Sequence, residues 1–90
     1  MSLRRRRRPE RLTFVTRKGC CLCAEALPVV QRLAAAAGVP VEVRDVDADP
    51  ADAHWSDHVP VVLLDGEQHS IWFVDEPALG RALRGRSPAL

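Results

Sequence analysis

Apolar and polar positions along this chain fall into blocks whose period changes, and each change marks an element. LTFVT, residues 12 to 16, holds no turn residue and ends at the polar RKG, which is the pattern of a short buried strand. From Leu22 the composition switches to LCAEALPVVQRLAAAAG, rich in helix formers, with Leu22, Ala26, Val29, Val30, Leu33 and Ala37 at helical spacing. Gly38 supplies the stop and Pro40 follows it. Pro28 lies inside this helix, where it removes a backbone donor and is expected to kink the axis. VEVRDVD, 41 to 47, alternates before breaking at Asp45 and Val46, and its β-branched content predicts a second strand. A short helix is expected to start near Pro50. VPVVLLDG, 59 to 66, reads as a third strand ending in an Asp-Gly turn, and HSIWFV, 69 to 74, as a fourth that pairs back on it. Asp75 is placed to cap a last helix, with Pro77 in its first turn and Leu79, Ala82 and Leu83 inward.

The order is strand, helix, strand, short helix, strand, strand, helix. A βαβ unit followed by a ββα unit predicts an α/β domain with a four-stranded mixed sheet flanked by helices, since the first crossover is right-handed and the hairpin antiparallel.

Composition narrows this picture. At 90 residues, 47% apolar, the chain supports one small domain, with a net stability of roughly 5 to 10 kcal/mol. Two Trp, two Phe and no Tyr leave the core to Val, Leu, Ala and Ile. The net charge of +1 conceals an asymmetry: Arg4 to Arg8 and Arg11 are six of the 13 basic residues, so Leu12 to Leu90 carries seven against 11 acidic groups, about −4. Residues 1 to 11 are expected to form a disordered Arg-rich tail, residues 12 to 85 the folded domain, and 86 to 90 a C-terminal tail. The arginines are read as a solvated tail, with a phosphate-binding arm as the alternative, and nucleic acid is not the expected partner. No apolar stretch of signal length follows them and no membrane span is expected. All three cysteines sit in one hexapeptide, unlike the scattered even set of a stapled secreted domain, which points to the cytoplasm.

That hexapeptide, KGCCLC, falls at the junction of the first strand and first helix. Unpaired amides and the helix dipole there favour an anion, and Arg17 and Lys18 add positive charge, the conditions that lower a cysteine pKa from about 8.5 into the range of about 3.5 to 7.5. Cys23, about one helical turn beyond Cys20, returns its sulfur beside that of Cys20. Cys20 with Cys21 would form a strained vicinal ring, because disulfide Cα separations of about 4.4 to 6.8 Å exceed the roughly 3.8 Å of neighbours. Cys21 and Cys23 face different directions. The expected redox-active disulfide is therefore Cys20–Cys23, with Cys20 as nucleophile and Cys23 resolving the mixed disulfide.

KGCCLCAEALP after LTFVT, with VPVVLLDG some 40 residues on, resembles the glutaredoxin and thioredoxin superfamily, and within it the small bacterial glutaredoxin-like proteins with a C-x-L-C site. The likeness covers about Leu12 to Leu83. It implies a thioredoxin fold, a thiol-disulfide oxidoreductase, a cis Val59-Pro60 bond beside Cys20, and a reason for Pro28 as the proline that kinks the active-site helix. It makes Arg17, Lys18, Val59 and Pro60 the substrate-binding candidates, Arg17 through a glutathione carboxylate. No bound cofactor is implied, with glutathione a candidate reductant and a disulfide-containing protein or glutathione the partner of a monomer. Three positions differ from glutaredoxins: His58 stands where they commonly have Thr, Trp72-Phe73 where they have Gly-Gly, and CCLC replaces CPYC.

The rival reading is a non-catalytic scaffold of the same fold binding a metal or a protein. His54 and His58 form H-x-x-x-H, but 30 residues separate Cys23 from His54, whereas zinc fingers use about 12 to 15, and no metal site is expected. His58 is expected near the thiols through Pro60. Trp55 and Trp72 are expected in the core, Asp45, Asp47, Asp49 and Asp52 on a solvated loop face, and Cys21 as a partly exposed bystander.

Overall fold

The computed structural model describes residues 8–85. The arginines before residue 8 and the C-terminal residues 86 to 90, both assigned to tails above, lie outside the described residues. Strand β1 (Leu12–Thr16) is followed by helix α1 (Cys21–Ala37), β2 (Val41–Asp45), a 3-10 helix (Pro50–Trp55), β3 (Val61–Leu64), β4 (Glu67–Ile71) and helix α2 (Glu76–Leu83). The sheet has four strands in the order β2-β1-β3-β4. β1 pairs with β2 in parallel, Phe14 opposite Val43, and with β3 antiparallel, Phe14 opposite Val62. β3 and β4 form the antiparallel hairpin, with a bulge between Val62 and Leu63.

β1 is central, and four of its five residues are buried, which is why it reads as a continuous apolar run rather than an alternating one. Its period-2 side chains divide between two faces. Leu12 and Phe14 join Val62 of β3, Cys23, Val30 and Ala34 of α1, and Leu79 and Leu83 of α2, in the main core. Val15 joins Val46, Val61 and Leu63 on the other face, covered by Trp55 of the 3-10 helix. Both long helices therefore lie on one side of the sheet.

The local stops follow residue chemistry. Gly38 adopts φ 74°, a left-handed conformation open to glycine, and its N–H closes α1 onto the carbonyls of Ala34 and Ala35. α1 runs through Pro28, which is exposed. Asp65 and Gly66 both have positive φ, at 53° and 86°, the requirement of a two-residue hairpin turn that matches strand twist. Asp65 also accepts the backbone N–H groups of Glu10 and Arg11 at 2.8 and 3.0 Å, so the last two residues assigned to the N-terminal tail are held against this turn. Asp75 caps α2 by accepting the N–H of Ala78 at 3.1 Å.

The structure departs from the sequence-based expectation at several places. β2 stops at Asp45 and β3 starts at Val61. β4 ends at Ile71 instead of Val74, because Trp72 turns out of the sheet with φ 72°. Trp72, expected in the core, is 54% exposed, and Leu22, first of the apolar residues at helical spacing in α1, is 59% exposed. Asp52, expected on a solvated face, is 5% exposed and lies 3.4 Å from the Arg44 guanidinium. A carboxylate so buried needs that partner.

Candidate functional site

The site is built at the turn between β1 and α1. Cys20 donates its N–H to the Arg17 carbonyl at 3.2 Å, closing a four-residue turn whose third position, Gly19, has φ 81°, a conformation for which glycine is the default residue. The chain then enters α1 with Cys20 extended at the N-cap, φ −85° and ψ 108°. Its carbonyl accepts the N–H of Ala24 at 3.1 Å. Its sulfur accepts the N–H of Cys23 at 3.2 Å, the part usually taken by a Ser, Thr, Asp or Asn side chain. No acidic residue occupies the first turn of α1, so the positive end of the helix dipole is left to the sulfur.

Cys20 and Cys23 are bonded as a disulfide with their Cα atoms 5.2 Å apart. The two sulfurs differ in setting. Cys23 is 2% exposed within the main core, Cys20 is half-buried at its edge, and Cys21 is an exposed free thiol. In the open, dithiol form this arrangement offers one sulfur to the outside and holds the second immediately behind it.

The other candidate residues are spread around this turn. The Arg17 guanidinium donates to the Ser56 hydroxyl at the end of the 3-10 helix, a partner the sequence pattern gave no sign of. Lys18 is exposed and, among the described residues, makes no side-chain hydrogen bond or ion pair. The Val59–Pro60 bond is cis, as the resemblance implied. Val59 packs in the cluster that contains Cys20 and Cys23, and Pro60 is buried.

The backbone N–H of Trp72 donates to the carbonyls of both His58 and Pro60 at 3.0 Å, and its indole N–H to the Asp57 carbonyl at 2.9 Å. The His58 ring stacks on Trp72 with centroids 5.8 Å apart and planes 13° from parallel, and meets Trp55 edge-on at 6.3 Å. His58 thus belongs to an aromatic ladder that fixes Trp72. Trp72 and Phe73 line a groove of about 220 Å³ together with Leu22, Ala26 and Val29 of α1 and with Pro60. Leu22 and the Trp72-Phe73 pair are the site features that helical and strand periodicity misread. The sign of them in the sequence was a bulky aromatic pair two residues before the capping Asp75.

Among the described residues no three His, Cys, Asp or Glu side chains converge as a metal site, and no helix is long and apolar enough to cross a membrane.

A family profile described as "Glutaredoxin-like domain (DUF836)" matches residues 11–84. The uncharacterized protein Rv0508 of Mycobacterium tuberculosis is 36% identical over 78 residues, 80% of this chain and 79% of its own length. The solution structure of protein Ne2328 from Nitrosomonas europaea superposes with a TM-score of 0.66 at 25% identity, covering 82% of this chain and 91% of that one. Thioredoxin 1 from Thermosipho africanus superposes with a TM-score of 0.58 over 78% of this chain and 88% of its own, at 19% identity, a likeness of fold.

Proposed function

The chain belongs to the glutaredoxin-like domain family, and from that premise we propose that it is a thiol-disulfide oxidoreductase working through Cys20 and Cys23. The observation that carries the reading is the asymmetry within the bonded pair: a half-buried sulfur at the N-cap of α1, backed by a sulfur that is 2% exposed.

The Cys20 thiolate attacks one sulfur of a substrate disulfide, forms a Cys20–substrate bond and expels the other substrate sulfur as thiolate. The Cys23 thiolate then attacks Cys20, closing the Cys20–Cys23 disulfide and releasing the second substrate sulfur. The substrate disulfide gains two electrons and becomes two thiols, and the protein dithiol becomes a disulfide. An external dithiol or two monothiols, with glutathione the compound implied by the family, returns the pair to the reduced state. The N–H of Cys23, aimed at the Cys20 sulfur, supports the charge that sulfur carries as nucleophile and as leaving group. Both sulfurs come from one junction of one chain, so a monomer suffices. Three clustered cysteines suit the reducing cytoplasm.

Thiol counting tests this. On oxidation the protein should lose two of its three thiols reversibly and keep one, and Cys20→Ser should abolish disulfide reduction. A Cys20→Ser protein that still reduces disulfides contradicts the assignment of the nucleophile. Resistance to oxidation until a chelator is added would identify a metal-binding scaffold instead.

A further inference from the structure

Among the described residues four large hydrophobic side chains are exposed, Leu22, Trp72, Phe73 and Val43, and the first three line one groove. Trp72 and Phe73 are 54% and 67% exposed. Such a concentration on a small domain marks a binding surface. The groove is also rigid on its aromatic side, because the three hydrogen bonds from Trp72 to residues 57 to 60 and its stack on His58 hold the indole in place. An ordered wall lowers the entropic cost of binding.

Its position ties it to the thiols. Leu22 lies between Cys21 and Cys23 in the chain, and Pro60 follows Val59, which packs in the Cys20 and Cys23 cluster. A residue close to a substrate cysteine bonded to Cys20 is therefore within reach of the groove.

The charges at the rim set the sign of what fits. Glu25 and Glu76 both line the groove. Glu76 is paired with Arg32 at 3.3 Å, whereas Glu25 is exposed and has no ion-pair partner among the described residues. Of the two cations in the turn before Cys20, Arg17 is directed at Ser56, and Lys18 does not line the groove. Glutathione carries two carboxylates against one ammonium, a net charge of about −1, and no bulky apolar side chain, so it leaves the groove unfilled and brings net like charge towards Glu25.

We infer that the groove selects polypeptide disulfides that carry a bulky apolar residue and a basic residue next to the reacting cysteine, in preference to glutathione disulfides. This rests on the exchange reading above, and concerns which substrate that reaction takes. Apolar burial draws the side chain in, and the unpaired Glu25 carboxylate favours the adjacent cation.

The test uses the full-length reduced protein and four mixed disulfides bearing the same thiopyridine leaving group. These are a blocked peptide with Leu and Lys beside its cysteine, one with Gly and Lys, one with Leu and Glu, and glutathione. Each rate is divided by that for 2,2′-dithiodipyridine, which reports the thiols alone, and folding of each variant is checked by circular dichroism. The Leu-Lys peptide should react roughly tenfold faster than the glutathione disulfide, Phe73→Gly should shrink its lead over the Gly-Lys peptide, and Glu25→Lys should reverse the order of the Lys and Glu peptides. Equal relative rates, or glutathione fastest, would overturn the inference while leaving the exchange reading intact. Failure of every disulfide, dithiodipyridine included, would overturn both.

Discussion

Cys23 donates its backbone N–H to the sulfur of Cys20 at 3.2 Å, while its own side chain is 2% exposed. One residue thus supports the outer sulfur and hides its own. In the fully reduced protein, brief treatment with iodoacetamide followed by peptide mapping should find label on Cys20 and Cys21 well before Cys23. Labelling of Cys23 at a rate like that of Cys21 would contradict the burial asymmetry on which the roles of the pair depend.

The site hangs on the central strand, and Phe14 is its largest fully buried side chain. Phe14→Ala should cost about 3 to 5 kcal/mol, the range for truncating a core aromatic, visible as a lower urea midpoint at unchanged slope. Against a total of roughly 5 to 10 kcal/mol for a domain of this size, the variant should be near the limit of folding. A loss of under about 1 kcal/mol would mean that the faces of β1 are not as described.

His69 on β4 is held below its ordinary pKa of 6.5, chiefly by burial, with Asp75 pulling weakly upward. The folded state therefore binds a proton there less readily than the unfolded chain. As pH falls through the ordinary histidine range, the unfolded chain gains a proton that the folded one does not, so stability at this site falls with falling pH and is recovered above it. Thermal midpoints from pH 8 to pH 5 should drop more for the native sequence than for His69→Gln. Parallel curves would show that His69 makes no such contribution.

Much of the framework was legible because it rests on local rules. LTFVT coincides with β1, Gly38 ends α1 by its left-handed φ, the Asp-Gly pair turns the hairpin, and Asp75 caps α2. The Cys20–Cys23 pairing followed from helical geometry in the same way. What escaped is set by contacts distant in sequence. HSIWFV has the composition of a strand, yet Trp72 leaves the sheet because residues 57 to 60 offer three carbonyls to its two N–H groups. Nothing in the local pattern announces a non-glycine residue at φ 72°. Leu22 shares a helical face with Ala26 and Val29, but that face opens on the groove beside Trp72 and Phe73. Asp52 is one acid among several, distinguished only by Arg44 eight residues earlier, brought to it by the path from β2 into the 3-10 helix.

The most direct test of the central claim is the intact mass of reduced Cys23→Ser protein after incubation with one equivalent of hydroxyethyl disulfide. Without its resolving thiol the exchange should stop at the mixed disulfide, giving a single hydroxyethylthio adduct that peptide mapping places on Cys20 and dithiothreitol removes. The native sequence, treated identically, should carry no adduct at that site and be lighter by two hydrogen atoms, its Cys20–Cys23 bond closed. An adduct on Cys21 alone, or no adduct in the variant with no internal disulfide in the native protein, would contradict the account.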